Sequence, residues 1–328
     1  MLRPEIAELT SKTNLTEADL QAVLKERDLY FSQGDELGYA HCLTVLAFVV
    51  IWVRSDNNQP PFDRAYSLAM EALPIMKRHQ DSAGTIDALL GAVPLSAPAE
   101  ATRMLDEALE IAKEMGDDFQ IARVLGRQAA MLGRSDRKQS FKLNSQVLEI
   151  YEKIGSVSGQ ARTLFSMAIQ CEGDEAKFDY SVRSANLFRS IGRLDQSARA
   201  ISLALMYGTE HVQSSTLLEL AEQGLRDAQT VGKTLLEGCF YKHVAQIHGG
   251  LGNFEEAEKY QGWAQQIDES DGLSPKERKQ QELLFTQEMI EMCKKQGNAE
   301  AEKMFKEKLR ELKKTKIQKK LRSGRAKP

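Results

Sequence analysis

The chain repeats one phrase at an almost constant interval. Ile111-Ala-Lys-Glu-Met115-Gly116 is followed six residues on by Ala122-Arg123-Val-Leu125. Ile150-Tyr-Glu-Lys-Ile154-Gly155 is followed by Ala161-Arg162-Thr-Leu164, and Leu187-Phe-Arg-Ser-Ile191-Gly192 by Ala198-Arg199-Ala-Ile201. A weaker copy ends at Val231-Gly232, which sets the four glycines 39, 37 and 40 residues apart. A fixed period in this range marks stacked supersecondary units that each bury their apolar face against the next. A chain of 328 residues would ordinarily suggest two domains, but an array grows by adding units to one continuous core.

Each unit reads as helical. Apolar residues recur at helical spacing almost throughout, and no convincing strand is found. The eight prolines are few and clustered, which favours uninterrupted helices. Thr16 to Gln33 reads as one helix, with Thr16 as N-cap and Asp19 as its capping-box partner, stopped at Gly34. That reading makes the sequon Asn14-Leu-Thr16 incidental. Glu36 to Val53 is apolar nearly all round and should be deeply buried. Asn57-Asn-Gln-Pro60-Pro61 is a break, and Pro61 suits the first turn of a helix running to about Arg78. Around Gly91 to Pro98 the pattern weakens, giving the shortest and least regular unit. From Ala99 the helices pair regularly, and a last pair is split at Gly297-Asn298.

The resemblance to a known family rests on Val244-Ala245, Leu251-Gly252-Asn253-Phe254, Ala257 and Ala264. A large residue followed by a small one, a Leu-Gly-Asn-aromatic turn and two alanines seven apart resemble the tetratricopeptide repeat. Leu125-Gly126 and Leu132-Gly133 fit the same frame. The period exceeds the usual 34 residues and the closing proline is missing, as in the longer-repeat branch of the family. The resemblance covers roughly residues 20 to 270. It implies an all-α, right-handed superhelix whose concave face, lined by the first helix of each pair, binds protein segments. The expected organisation is a repeat array over 1–270, most regular over 94–264. Capping helices follow over 271–312, and a basic, disordered tail over 313–328. Small residues such as Ala257 and Gly126 should sit where helices touch.

No arrangement suggests catalysis. The histidines His41, His79, His211, His243 and His248 form no metal-binding pair at helical spacing, and no nucleophile elbow or phosphate loop appears. Gly249-Gly-Leu-Gly252 follows no strand and reads as a repeat turn. No cofactor, metal or catalytic residue is therefore expected. Four scattered cysteines suggest thiols of a reducing compartment, and the apolar run Leu43 to Val53 is too short for a membrane span of about 20 residues. A cytoplasmic protein is expected.

Two features carry candidate chemistry. Arg123, Arg162 and Arg199 occupy one repeat position, seven after the turn glycine. Stacking would set them in a ladder about 10 Å apart, the spacing of packed helices. Arg127 lies one turn from Arg123, and counting back from its Leu-Gly turn puts Lys242 in the same rank. Such a basic groove would recruit an acidic segment, because guanidinium holds carboxylate through two parallel hydrogen bonds. Equally, these cations could pair with acids of neighbouring helices and only stabilise the stack. The second feature is the tail: Lys313, Lys314, Lys316, Lys319, Lys320, Arg322, Arg325 and Lys327, with no acid. It leaves −11 on the rest of a chain whose total is −3. The functional reading is an adaptor or regulatory scaffold. Two alternatives stand beside it: a ligand- or peptide-sensing regulator in signalling or transcription control, and an RNA- or membrane-associated protein acting through the tail.

Overall fold

The computed structural model describes residues 15–52, 61–133, 135–208, 211–270 and 272–323, together with Ile6 and Leu9. The expected break at Asn57-Asn-Gln-Pro60 and the sequon residue Asn14 lie outside them. So do Arg325 and Lys327, and the side chains of Lys316, Lys319, Lys320 and Arg322. Among the described residues the chain is all α, with fifteen α-helices in a repeat arrangement and no strand. They are α1 (Glu17–Gln33), α2 (Glu36–Trp52), α3 (Pro61–Arg78), α4 (Ser82–Ala92) and α5 (Pro98–Glu114). Then come α6 (Asp118–Leu132), α7 (Arg137–Lys153), α8 (Val157–Gln170), α9 (Asp174–Ser190) and α10 (Leu194–Gly208). The last five are α11 (Ser214–Thr230), α12 (Thr234–Gly250), α13 (Phe254–Ser270), α14 (Pro275–Gln296) and α15 (Ala299–Ser323).

The chain divides into two compact units, Met1–Cys171 and Glu172–Pro328. In the first, α2 is the buried element its composition requires: Cys42, Leu43, Leu46 and Val49 are all nearly inaccessible. Cys42, Leu46 and Val49 pack with Val23 of α1 and with Ala65, Ala69, Ile86 and Leu89 of α3 and α4, and Leu43 packs with Ala72, Met76 and Ala88. In the second unit Phe254 and Ala257 of α13 pack with Phe285, Met289 and Cys293 of α14 and Phe305 of α15. The phenyl rings of Phe254 and Phe305 meet edge to face at 5.7 Å.

Helix ends follow local chemistry. Thr16 caps α1 in a reciprocal box: the Asp19 amide donates to Thr16 Oγ1 at 3.3 Å, and the Thr16 amide donates to Asp19 Oδ2 at 2.8 Å. Ser274 and Glu277 repeat the device at the start of α14. The four repeat glycines Gly116, Gly155, Gly192 and Gly232 have φ between 63° and 73°, the left-handed conformation that closes a helix and turns the chain. One more turn of this kind was invisible as a glycine, because Gln80 takes it at φ 53°. The irregular unit around Gly91 to Pro98 contains the shortest of the fifteen helices, α4, and a 3₁₀ turn at Val93–Leu95.

The tail departs from expectation. Nothing between Ala299 and Ser323 breaks a helix, and α15 runs on to Ser323, so the segment expected to be disordered from 313 is helical up to that residue. Among the described residues no helix is long and apolar enough to cross a membrane.

Close packing explains the small residues. Tyr30 faces Gly38, Met76 faces Gly84 and Tyr151 faces Gly159, each pair eight residues apart, and a Cβ on any of these glycines would invade the facing side chain. Ala257 is fully buried, as expected. Gly126 is not forced: a Cβ there would rest at an ordinary 3.9 Å from Val147 Cγ1. The sharpest case is Gly224 of α11, where an added Cβ would enter the ring of the fully buried Phe240. Gly224→Ala should therefore cost about 1–3 kcal/mol through overpacking. Gly262→Ala, which meets nothing within 4 Å on α13, should instead gain about 0.5–1 kcal/mol from helix propensity. Urea unfolding of the two variants checks the opposite signs.

Candidate functional site

The turn residue fixes where each following helix begins, and so which side chain stands at a given height on it. The sixth residue of α2, α4, α6 and α8 in the first unit is His41, Asp87, Arg123 and Arg162. The ladder is therefore longer than the arginines alone, and two of its members, Asp87 and Arg123, touch. Arg123 Nη1 lies 2.6 Å from Asp87 Oδ1 on the preceding rung and 2.8 Å from Gln120 Oε1 on its own helix. His41 Nε2 lies 2.9 Å from Asp81 Oδ2. For Arg123 the stabilising pair is the observed arrangement. Asp87 escaped the sequence reading because its turn residue is Gln80 rather than glycine.

Arg127 and Arg162 differ from Arg123. Neither guanidinium has an ion pair or hydrogen-bond partner among the described residues. Arg127 is open to solvent, yet enough protein surrounds it that burial lowers its pKa, with the charges of Arg123 and Arg162 adding to the effect. Tyr151 sits beneath: it is 4% exposed, and burial raises its phenol pKa against the opposing pull of Arg162 and Arg123. Gly159 has no side chain to hold α8 off the Tyr151 ring, and Arg162 lies one turn further along the same helix. Phe119 meets Tyr151 with centroids 6.1 Å apart. Three like charges over an aromatic floor, with one carboxylate among them, leave an excess of positive charge in partly desolvated surroundings.

In the second unit the sixth position of α10 and α12 holds Arg199 and Cys239, both exposed. Arg199 has no side-chain partner among the described residues. Lys242 requires correction: it is the ninth residue of α12, not the sixth. Counting back from its Leu-Gly turn misplaces it, because α12 has 17 residues where α6, α8 and α10 have 15, 14 and 15. Lys242 is also satisfied, with Nζ 3.0 and 2.9 Å from the two carboxylate oxygens of the buried Asp268. Asp227 is similarly absorbed, accepting from Ser197 at 2.9 Å and pairing with Arg189. His243 is held neutral by burial, which pushes its pKa down to about 4, with Ser202 Oγ 3.4 Å away. Of the tail residues, Lys313 and Lys314 are exposed on α15. No cluster of three or more His, Cys, Asp or Glu able to hold a metal occurs among the described residues.

No protein-family model matches the chain, and no curated protein matches it. Among solved structures it is similar to BtubC (BKLC) from P. vanneervenii, at 14% identity over 80% of this chain and 95% of that one, with a TM-score of 0.49. It is also similar to a circular tandem repeat protein with novel repeat topology and enhanced subunit contact surfaces. That match has 13% identity, covers 94% of this chain and 91% of the other, and has a TM-score of 0.30. A third match is the de novo designed helical repeat protein DHR81, at 15% identity over 77% and 88% of the chains, with a TM-score of 0.13. These values carry nothing about function, and the repeat architecture rests on the chain's own helices.

Three expectations follow. Asp87→Asn should destabilise by roughly 0.5–1 kcal/mol, since it strips Arg123 of its anion. Arg162→Gln should stabilise by a few tenths of a kcal/mol at low salt, since it relieves Arg127, and that gain should vanish near 1 M salt. Thermal melts at two ionic strengths test both signs. For His243 the folded pKa lies below the ordinary 6.5, so the unfolded chain binds a proton that the folded chain refuses. Its contribution is intact above about 6.5 and is lost as pH falls toward 4. His243→Leu should lose less stability than the wild type across that window.

Proposed function

We propose that this chain is a non-catalytic scaffold of the longer-repeat tetratricopeptide type. It captures an acidic segment of a protein partner on the even-numbered helices of the Met1–Cys171 unit. Arg127 and Arg162 are the anchoring cations, with Arg123 held beside them by Asp87. The observation that carries this reading is the contrast within one cluster: Arg123 has its carboxylate, while its two neighbours have none and repel each other. An incoming carboxylate would relieve that repulsion, so binding gains more there than at an already paired arginine. The tetratricopeptide frame is supported by the large–small pair Val244-Ala245, the Gly252 turn at φ 81° and the buried Ala257 and Ala264. A reducing, cytoplasmic setting belongs to the same proposal, supported by four cysteines that form no disulfide. Sensing regulators of the same architecture would use the same face, with output passing through the captured partner.

The test is fluorescence anisotropy with a labelled peptide of alternating glutamate and glycine. Arg127→Glu/Arg162→Glu should weaken binding by about 100-fold or more, given roughly 1.5–3 kcal/mol per charged hydrogen-bonded contact. Circular dichroism should be unchanged, because neither side chain is packed in a core. Removal of residues 313–328 should leave the affinity as it was. Binding that survives the double charge reversal, or that disappears with the tail, would overturn the proposal.

A further inference from the structure

An open cavity of about 350 Å³ lies between α12 and α13, lined by Glu237, Tyr241, Trp263, Gln266 and Ile267. Glu237 and Tyr241 are one turn apart and share a face of α12. The rings of Tyr241 and Trp263 meet at 5.4 Å with planes tilted by 58°, forming an aromatic corner. That corner is braced from behind. Tyr260 abuts Trp263 edge to face at 4.9 Å, and His248 stacks on Tyr260 at 5.5 Å. Gln229 Nε2 of α11 donates to the Tyr241 hydroxyl at 3.4 Å. Gly238 completes the wall: a Cβ there would press on Ile267 Cγ2 at 3.1 Å, so the missing side chain lets Ile267 form the floor. Trp263 nonetheless stays 37% exposed, unusual for so large an apolar surface braced on several sides.

The electrostatics select the occupant. Glu237 has no ion pair or side-chain hydrogen bond among the described residues, although it lines the same cavity as the Tyr241 and Trp263 rings. Aromatic faces attract cations, as Lys259 shows: its ammonium lies 5.2 Å from the Trp263 centroid while pairing with Glu256 at 2.9 Å. Lys259 is paired with Glu256 and does not line the cavity. An apolar occupant would strip water from that carboxylate and return nothing, and an anion would be repelled. A planar guanidinium satisfies both walls at once. It stacks on the aromatic rings and offers a fork of donors to the carboxylate, which a compact ammonium cannot do.

We propose that the Glu172–Pro328 unit carries a second binding site, in which Glu237, Tyr241 and Trp263 take the arginine side chain of a partner protein. This site does not depend on the anion-binding reading of the first unit. The test uses the full chain with Trp52→Phe, so that Trp263 is the sole tryptophan of the original two. N-acetyl-arginine amide is titrated against its emission, which should change saturably. The neutral isostere N-acetyl-citrulline amide and the variant Glu237→Gln should each weaken binding about tenfold, the loss expected of a charge-assisted pair. Arg127→Glu/Arg162→Glu should leave the titration unchanged, so the two sites fail separately. The proposal is overturned if citrulline binds as well as arginine, if Glu237→Gln has no effect, or if emission does not respond. Equal binding of N-acetyl-lysine amide or tetramethylammonium overturns the choice of guanidinium.

Discussion

The left-handed turn residue is the constraint on which the rest depends. Gly116, Gly155, Gly192 and Gly232 have open space where a side chain would be, so it is backbone conformation that demands glycine there. The turn ends one helix and starts the next within two or three residues, so the sixth position of α2, α4, α6 and α8 falls seven residues after its turn residue. Everything chemical in the first unit is indexed to that register. The sequence period is the visible record of it, and Gln80 shows that the register survives where the glycine does not.

Packing between these turns is one of large side chains against missing ones. Tyr30, Met76 and Tyr151 each lie over a glycine eight residues later, and Phe240 lies over Gly224. The tight fit transmits position: Gly159 brings α8 down onto Tyr151, and Arg162 stands one turn beyond it. A basic cluster over a buried tyrosine is thus a consequence of helix approach, with the aromatic side chain as its floor.

Several charges in this acidic chain are paired across helices. Lys153 pairs with Asp118, Arg189 with Asp227, Lys242 with Asp268 and Lys308 with Glu258, each joining one element to another. Such pairs contribute modestly when exposed, on the order of 0–1 kcal/mol. Their value here lies in contrast. In the basic cluster Arg123 has its carboxylate while Arg127 and Arg162 have none among the described residues, and Glu237 lines its cavity without an ion pair there.

The sequence by itself determined the helical class, the repeat period, the capped start of α1, the burial of α2 and the common position of Arg123, Arg162 and Arg199. All of these are local or periodic properties, set by spacing along the chain. Tertiary structure alone decided which of those arginines was free. That depended on Asp87, whose equivalence was hidden by Gln80, and on the extra length of α12, which moved Lys242 out of rank. It also decided the pocket at Glu237, Tyr241 and Trp263, because that site combines residues of two helices with a gap left by Gly238. No periodicity along the chain encodes which partner a charged side chain meets. Only the approach of one helix to another decides whether a charge is neutralised or left exposed.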